Sequence, residues 1–66
     1  MRDTEQVWMT LHEHYRTTKA ILVSHDNEED NAVWLPFSQI DVEEELAESI
    51  IVIRAPEWLV RDKGLI

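Results

Sequence analysis

The stretch Ser49-Ile50-Ile51-Val52-Ile53-Arg54 carries the strongest strand signal in the chain, and it decides how the second half folds. Its four consecutive apolar residues are all β-branched, and such side chains pack well on the pleated surface of a sheet. The segment before it allows two interpretations. Asp41 with Glu44 can form a capping box that opens a short helix through Ala47. Alternatively, that segment is a strand that turns near residues 46–48 and pairs with the Ile-rich stretch, and we favour this hairpin.

Two strands are predicted nearer the N-terminus. Residues 6–14 alternate between apolar and polar side chains, which is typical of a half-buried strand. The apolar side of this strand consists of Val7, Met9 and Leu11. Residues 19–24 form a short apolar run, which fits a strand covered on both faces. Only a weak turn at residues 15–18 separates the two, so we expect them to form a hairpin.

A polar loop and a third strand follow. Asp and Asn dominate residues 26–31, and their side chains bond readily to nearby backbone groups. Residues 32–35 resume an extended run that Pro36 stops, and residues 37–40 are expected to form a single helical turn.

The C-terminal segment carries the signals of a short helix. Pro56 suits the first helical position, Glu57 lies at the positive end of the helix dipole, and Gly64 suits the residue just after the last turn. Two basic side chains stand near the negative end of the dipole: Arg61 and Lys63. Two apolar side chains are expected to cap the sheet: Trp58 and Leu59.

These elements predict an α+β fold that is mainly β: a strongly bent five-stranded antiparallel sheet or small open barrel, SH3-like or OB-like, with a short C-terminal helix. Residues 1–66 make a single small domain with a thin core, since a chain this short buries only about 60% of the surface that its unfolded form exposes. The chain has no cysteine, so disulfides and thiolate zinc sites cannot support that core, and self-association remains open.

The charge is distributed unevenly along the chain. The formal net charge is −8, and residues 25–53 contain nine carboxylates without a single Lys or Arg. The nine are Asp26, Glu28, Glu29, Asp30, Asp41, Glu43, Glu44, Glu45 and Glu48. A surface of this kind attracts a basic groove and repels phosphate, which disfavours direct nucleic-acid binding. This acidic face is the predicted partner-binding site.

No residue pattern indicates catalysis, a metal or a cofactor. His12 and His14 share one face of the first predicted strand, but no third ligand stands at a recognisable spacing. Ser24-His25-Asp26 contains the residue types of a hydrolytic triad, yet three neighbours on an extended chain point alternately away from one another. Gly64 is the only glycine, so there is no glycine-rich phosphate loop. We therefore expect a non-enzymatic protein without a metal site or cofactor.

Aromatic side chains are the other candidate contacts. We expect Trp34 and Trp58 to anchor the core and Trp8 to form a partly exposed cover. Trp8 or Phe37 can contribute to an interface, where aromatic side chains dominate the binding energy. These side chains would serve a contact between copies of the chain as readily as a contact with a foreign partner.

No segment indicates secretion or membrane insertion. Residues 1–5 are not followed by an apolar signal region, and no apolar run approaches the roughly 20 residues that cross a bilayer. We expect a soluble protein of the cytoplasm that does not bind membranes.

Four stretches of the chain resemble a group of small proteins that phages and prophages encode and that have no settled activity. They are Lys19-Ala20-Ile21-Leu22-Val23, Trp34-Leu35-Pro36-Phe37-Ser38-Gln39-Ile40, Pro56-Glu57-Trp58-Leu59 and Lys63-Gly64-Leu65-Ile66. The resemblance spans about residues 18–66. A basic residue commonly follows the Trp-Leu-Pro in that group, whereas Phe37 stands there in this chain, which speaks against an anion-binding role. The resemblance implies a phage protein acting in the host cytoplasm, where small acidic proteins often inhibit host defence or nucleic-acid enzymes.

Two functional hypotheses follow. The first is a protein-binding inhibitor of a host nucleic-acid-binding or defence complex, anti-CRISPR-like, in which the acidic middle of the chain imitates a nucleic-acid backbone and occupies a basic groove. The alternative is a homo-oligomeric module for a small ligand or a single-stranded nucleic acid, in which aromatic side chains stack on bases. Its residues would be Trp8, Tyr15 and Arg16, with charge from Lys19 and Arg54.

Overall fold

Five antiparallel strands form one open sheet in a computed structural model, which describes residues 5–66. The elements are β1 (Gln6–Arg16), β2 (Ala20–Ser24), a single 3-10 turn (Glu29–Asn31), β3 (Val33–Pro36), β4 (Asp41–Ala47), β5 (Ile50–Pro56) and the helix α1 (Glu57–Asp62). Their order in the sheet is β3-β2-β1-β5-β4. The predicted mainly β fold with a short C-terminal helix is confirmed. The prediction that no signal region is present rests partly on residues 1–4, which lie outside the described range.

The central strand β1 divides its pairing between two partners. Its first part pairs with β5 from Gln6 opposite Pro56, and its last part pairs with β2 up to Arg16. Only His12 is opposite a residue of both neighbours. A bulge between Glu13 and Tyr15 interrupts the ladder to β2, and bulges bend the strand that carries them. The long strand thus joins two smaller sheets, β1-β2-β3 and β1-β5-β4.

Inward-facing side chains of the strands, two residues of α1, and Ile40 and Leu65 outside these elements form the core. β5 shows the pattern most clearly, because every second residue from Ile51 to Ala55 is buried and the intervening ones are half-buried. The buried apolar residues are Leu11, Ile21, Val23, Leu35, Ile40, Ile51, Ile53, Ala55, Leu59, Val60 and Leu65. The prediction that β2 is covered on both faces is only partly right, since Leu22 is half-buried between the buried Ile21 and Val23.

The hairpin interpretation of the second half is confirmed, and the capping-box helix is wrong. β4 pairs with β5 over its whole length, from Asp41 opposite Arg54 to Ala47 opposite Ile50. Two bulges interrupt β4, and bulges on an edge strand oppose pairing with a further strand. The third strand includes Pro36, whose missing N–H is harmless at a sheet edge. Residues 37–39 form a hydrogen-bonded turn and not the single helical turn predicted for residues 37–40. The Gln39 N–H closes this turn by donating to the Pro36 carbonyl at 3.0 Å.

The helix ends as the sequence predicts, although it starts one residue later. Glu57 is its first residue, because Pro56 keeps the extended backbone of β5. At its end the Gly64 N–H bonds to the Arg61 carbonyl at 3.1 Å, and the Leu65 N–H bonds to the Val60 carbonyl at 2.8 Å. This is a Schellman motif, and Gly64 supplies its left-handed residue with φ of 78°. Among residues 5–66 no helix is long enough to cross a membrane.

The tryptophan predictions need correction. Trp34 is 43% exposed and Trp58 is 44% exposed, so neither anchors the core. Trp34 alternates with the buried Leu35 on β3, and Trp58 lies on the side of α1 opposite to the buried Leu59 and Val60. The smaller aliphatic side chains occupy the interior, and Leu59 covers the sheet as predicted.

Replacing Ser49 by glycine is expected to stabilise the protein by about 0.5–1 kcal/mol. Ser49 ends the two-residue turn between β4 and β5 with φ of 68°, where a side chain is strained and glycine is not. Its carbonyl accepts the Glu13 N–H at 2.8 Å, so the turn conformation is held by β1. Urea unfolding measures the gain, with Ser38→Gly in the preceding turn as the control. Equal effects of the two changes would contradict strain at Ser49.

Candidate interaction surface

The nine predicted partner-binding carboxylates are all exposed, but they form two groups rather than one face. Four lie in the loop between β2 and β3 and are called the loop acids: Asp26, Glu28, Glu29 and Asp30. Five lie on β4 and its turn and are called the strand acids: Asp41, Glu43, Glu44, Glu45 and Glu48. Because β3 and β4 are the two edge strands, β2, β1 and β5 lie between the groups.

Two arginines form ion pairs with strand acids. Arg54 lies opposite Asp41 in the hairpin and forms an ion pair with it, and its Nε lies 3.6 Å from Glu43 Oε2. Arg16, at the end of β1, lies 2.8 Å from Glu13 and 3.8 Å from Glu45 Oε2. The hydrogen bond to Asp41 raises the pKa of Arg54, and the one to Glu13 raises the pKa of Arg16. Three strand acids therefore have an arginine partner within the molecule, and they share two arginines with Glu13.

Six of the nine carboxylates have no such partner among the described residues, and one of the six, Asp26, accepts hydrogen bonds instead. In the part of the chain that the structure describes, no Lys or Arg forms an ion pair with Glu28, Glu29, Asp30, Glu44 or Glu48. We call these five the unpaired acids. Asp26 differs from the other loop acids, because its Oδ1 accepts the Glu28 N–H at 3.0 Å and its Oδ2 accepts the Asn31 side chain at 3.4 Å. Asp26 orders the loop, and the others point their charge at solvent.

The start of the acidic loop is held by three polar contacts. The hydroxyl of the buried Ser24 donates to the Asp26 carbonyl, and its Oγ lies 2.7 Å from His14 Nε2. A hydroxyl has one proton, so His14 must be the donor to Ser24 and does not act on it as a base. His25 Nε2 contacts the Leu65 carbonyl. Ser24 and His25 thus fix the loop, and they do not assemble a triad with Asp26.

The structure exposes an aromatic pair of which only Tyr15 was predicted as a contact, in the alternative hypothesis. The rings of Tyr15 and Trp34 are 6.2 Å apart and nearly perpendicular at 85°. Trp8 is exposed as predicted, with 61% of its surface accessible. Phe37 is a weaker candidate, because it is half-buried against the core and the Arg16 guanidinium lies 5.8 Å from its ring centre. Strict alternation along residues 32–36 was the signal that could have placed Trp34 outside.

The described residues therefore present two kinds of exposed surface, the unpaired acids and the aromatic pair on β1 and β3. Tyr15 is 61% exposed, and the five unpaired acids are also exposed. Both kinds of surface are suited to contacts with another molecule, because charge steers association and aromatic rings supply contact area. Comparison of the chain with protein-family models, with curated proteins and with solved structures found no match.

Proposed function

We propose that the chain is a non-enzymatic acidic module that binds a protein with a basic groove. In the phage setting that the sequence resemblance implies, it inhibits a host nucleic-acid-binding or defence complex in the host cytoplasm. The observation that carries the proposal is that the five unpaired acids are exposed and form no ion pair within residues 5–66. Charges that the fold does not compensate are available to the Lys and Arg side chains of a partner, and they repel phosphate.

The charge pattern limits how far the module imitates nucleic acid. A DNA duplex carries one charge per about 1.7 Å, so five unpaired acids correspond to about 9 Å of duplex. The protein is 35 Å long in its longest dimension. Its charge density therefore supports competition for part of a basic groove rather than replacement of a long duplex.

The alternative is a homo-oligomeric module for a small ligand or single-stranded nucleic acid. The exposed rings of Trp8, Tyr15 and Trp34 favour it, because bases stack on such rings. The arginines weaken it, since Arg16 and Arg54 are engaged by carboxylates and are not free to hold phosphates. It remains the second candidate.

Affinity capture from a bacterial lysate with the tagged protein tests the proposal. We expect a nucleic-acid-binding complex to be captured at about 0.1 M salt and lost at about 1 M, where the Debye length falls from about 10 to 3 Å. Prior addition of duplex DNA to the lysate should reduce the capture, because DNA and the module compete for one groove. Recovery of the protein alone would contradict the proposal and favour the oligomeric module.

Two charge-matched variants locate the acids responsible. E28Q/E29Q/D30N removes three unpaired charges, and D41N/E43Q/E45Q removes three charges that already have an arginine partner. We expect the first variant to lose at least about tenfold more affinity for the captured complex than the second. The loss of a few charge pairs with a partner is sufficient for an effect of this size. Equal losses would show that only net charge matters, and unchanged binding of the first would exclude the loop acids. Neutralisation is preferred to reversal, because lysines at the paired positions would repel Arg16 and Arg54.

A further inference from the structure

One row of side chains crosses the outer face of the β1-β2-β3 sheet. Tyr15 lies opposite Leu22, and Leu22 lies opposite Trp34, so the three stand side by side on neighbouring strands. We call them the aromatic row. Tyr15 and Trp34 are in edge-to-face contact across it, a geometry that stabilises aromatic pairs and limits ring motion.

The aromatic row does not cover the core. Its neighbours along β2, Ile21 and Val23, are fully buried on the opposite face of the sheet. The next pair along the outer face, Ala20 opposite Pro36, adds two half-buried apolar side chains to this surface. The row is thus a pre-ordered apolar surface, so a partner that binds it loses little side-chain conformational entropy at these residues.

We propose that the aromatic row is the anchor for an arginine-bearing segment of the partner protein. This inference rests on the proposed function and names the residues that supply its specificity. A guanidinium stacks on the face of Trp or Tyr and forms forked hydrogen bonds with carboxylates, which an ammonium does less well. The row therefore provides the stacking surface, and the neighbouring loop acids provide the charge.

Charge complementarity selects this occupant. The acidic loop leaves β2 at Ser24, only two residues or about 7 Å beyond Leu22, and returns into β3 just before Trp34. The arginine of the chain nearest the row, Arg16, is engaged by Glu13 and lies over Phe37. Partner arginines thus meet aromatic rings beside unpaired acids, without competition from Arg16.

A second copy of the chain suits this surface less well. A two-fold interface places the same patch opposite itself, so the loop acids of two molecules with a net charge of −8 each would approach one another. Nucleic acid meets the same repulsion from the loop acids. The partner that satisfies both the rings and the charge is a basic protein segment.

The test uses labelled synthetic peptides in which four arginines, or four lysines, alternate with glycine and serine, and measures binding to the full chain by fluorescence anisotropy. We expect the arginine peptide to bind at least about threefold more tightly than the lysine peptide. Trp34→Ala should weaken arginine-peptide binding about tenfold and remove the difference between the peptides. Trp58→Ala is the matched control, since Trp58 is equally exposed but lies on α1.

Several outcomes would overturn the inference. Arginine-peptide binding that survives Trp34→Ala and Tyr15→Ala, yet falls with salt and in E28Q/E29Q/D30N, would refute the anchor while leaving the proposed function intact. The absence of peptide binding would refute the anchor too, and lysate capture then decides the proposed function separately. A dimer, or single-stranded DNA binding, that is lost in Trp34→Ala would assign the row to that occupant instead. Urea unfolding confirms that each variant is folded.

Discussion

Replacing Ile53 by alanine is expected to lower the free energy of unfolding by about 3 kcal/mol. Ile53 lies on β5 between Met9 of β1 and Val42 of β4, and none of its surface is exposed. Truncation removes apolar contacts in the middle of the sheet and leaves a cavity that its strand neighbours cannot fill. A chain of this length has a total stability of roughly 3–10 kcal/mol, so the variant loses about a third of it or more.

The neighbouring Val52→Ala is the control for this prediction. Val52 belongs to the same strand but faces outward and is half-buried, so its truncation should cost about 1 kcal/mol or less. Urea unfolding followed by tryptophan fluorescence measures both variants. Comparable losses at the two positions would contradict the assignment of opposite faces on β5.

Local pattern was sufficient to predict most of the strands. Alternation in β1 and the β-branched run of β5 each identify a strand without knowledge of its partners, because burial of one face requires a period of two. The segment 41–47 was harder, since its glutamates are also good helix formers. Its conformation is decided by pairing with β5, which is a tertiary effect.

The pairing of β1 with two partners was not predictable from local pattern. Nothing within residues 6–16 indicates that the strand leaves β5 for β2 at His12, because this depends on where the other strands end. The bulge near His14 places Tyr15 on the outer face beside Leu22. The same dependence explains why the aromatic row was missed, since its members come from three strands.

The charges were predicted only in their linear arrangement. The absence of Lys and Arg between residues 25 and 53 suggested an uncompensated acidic face. In the fold, Arg54 reaches Asp41 across the hairpin, and Arg16 reaches Glu45 from a more distant strand. Exposed ion pairs of this kind add little to stability, because water screens them. Their main consequence is to concentrate the available negative charge in the loop acids and in Glu44 and Glu48.

Replacing Leu65 by alanine is expected to lower the free energy of unfolding by about 2 kcal/mol. Leu65 is the last residue of the Schellman motif, is only 3% exposed, and packs in the same core as Val60, whose carbonyl accepts its N–H. The Leu65 carbonyl contacts His25, so the C-terminal segment supports the start of the acidic loop. The loss of Leu65 should therefore loosen residues 25–31 as well as α1.

The exposed neighbour Ile66 provides the control, because Ile66→Ala removes a side chain of similar size that is 55% exposed and should change stability by no more than about 0.5 kcal/mol. Amide hydrogen exchange locates the effect. Faster exchange in both the loop and α1 of Leu65→Ala is the expected result, since the Leu65 side chain packs in the core with α1 and the Leu65 carbonyl contacts the loop at His25. If exchange rises in α1 alone, the C-terminus does not support the loop, and the loop acids depend on Ser24 and Asp26 for their positions.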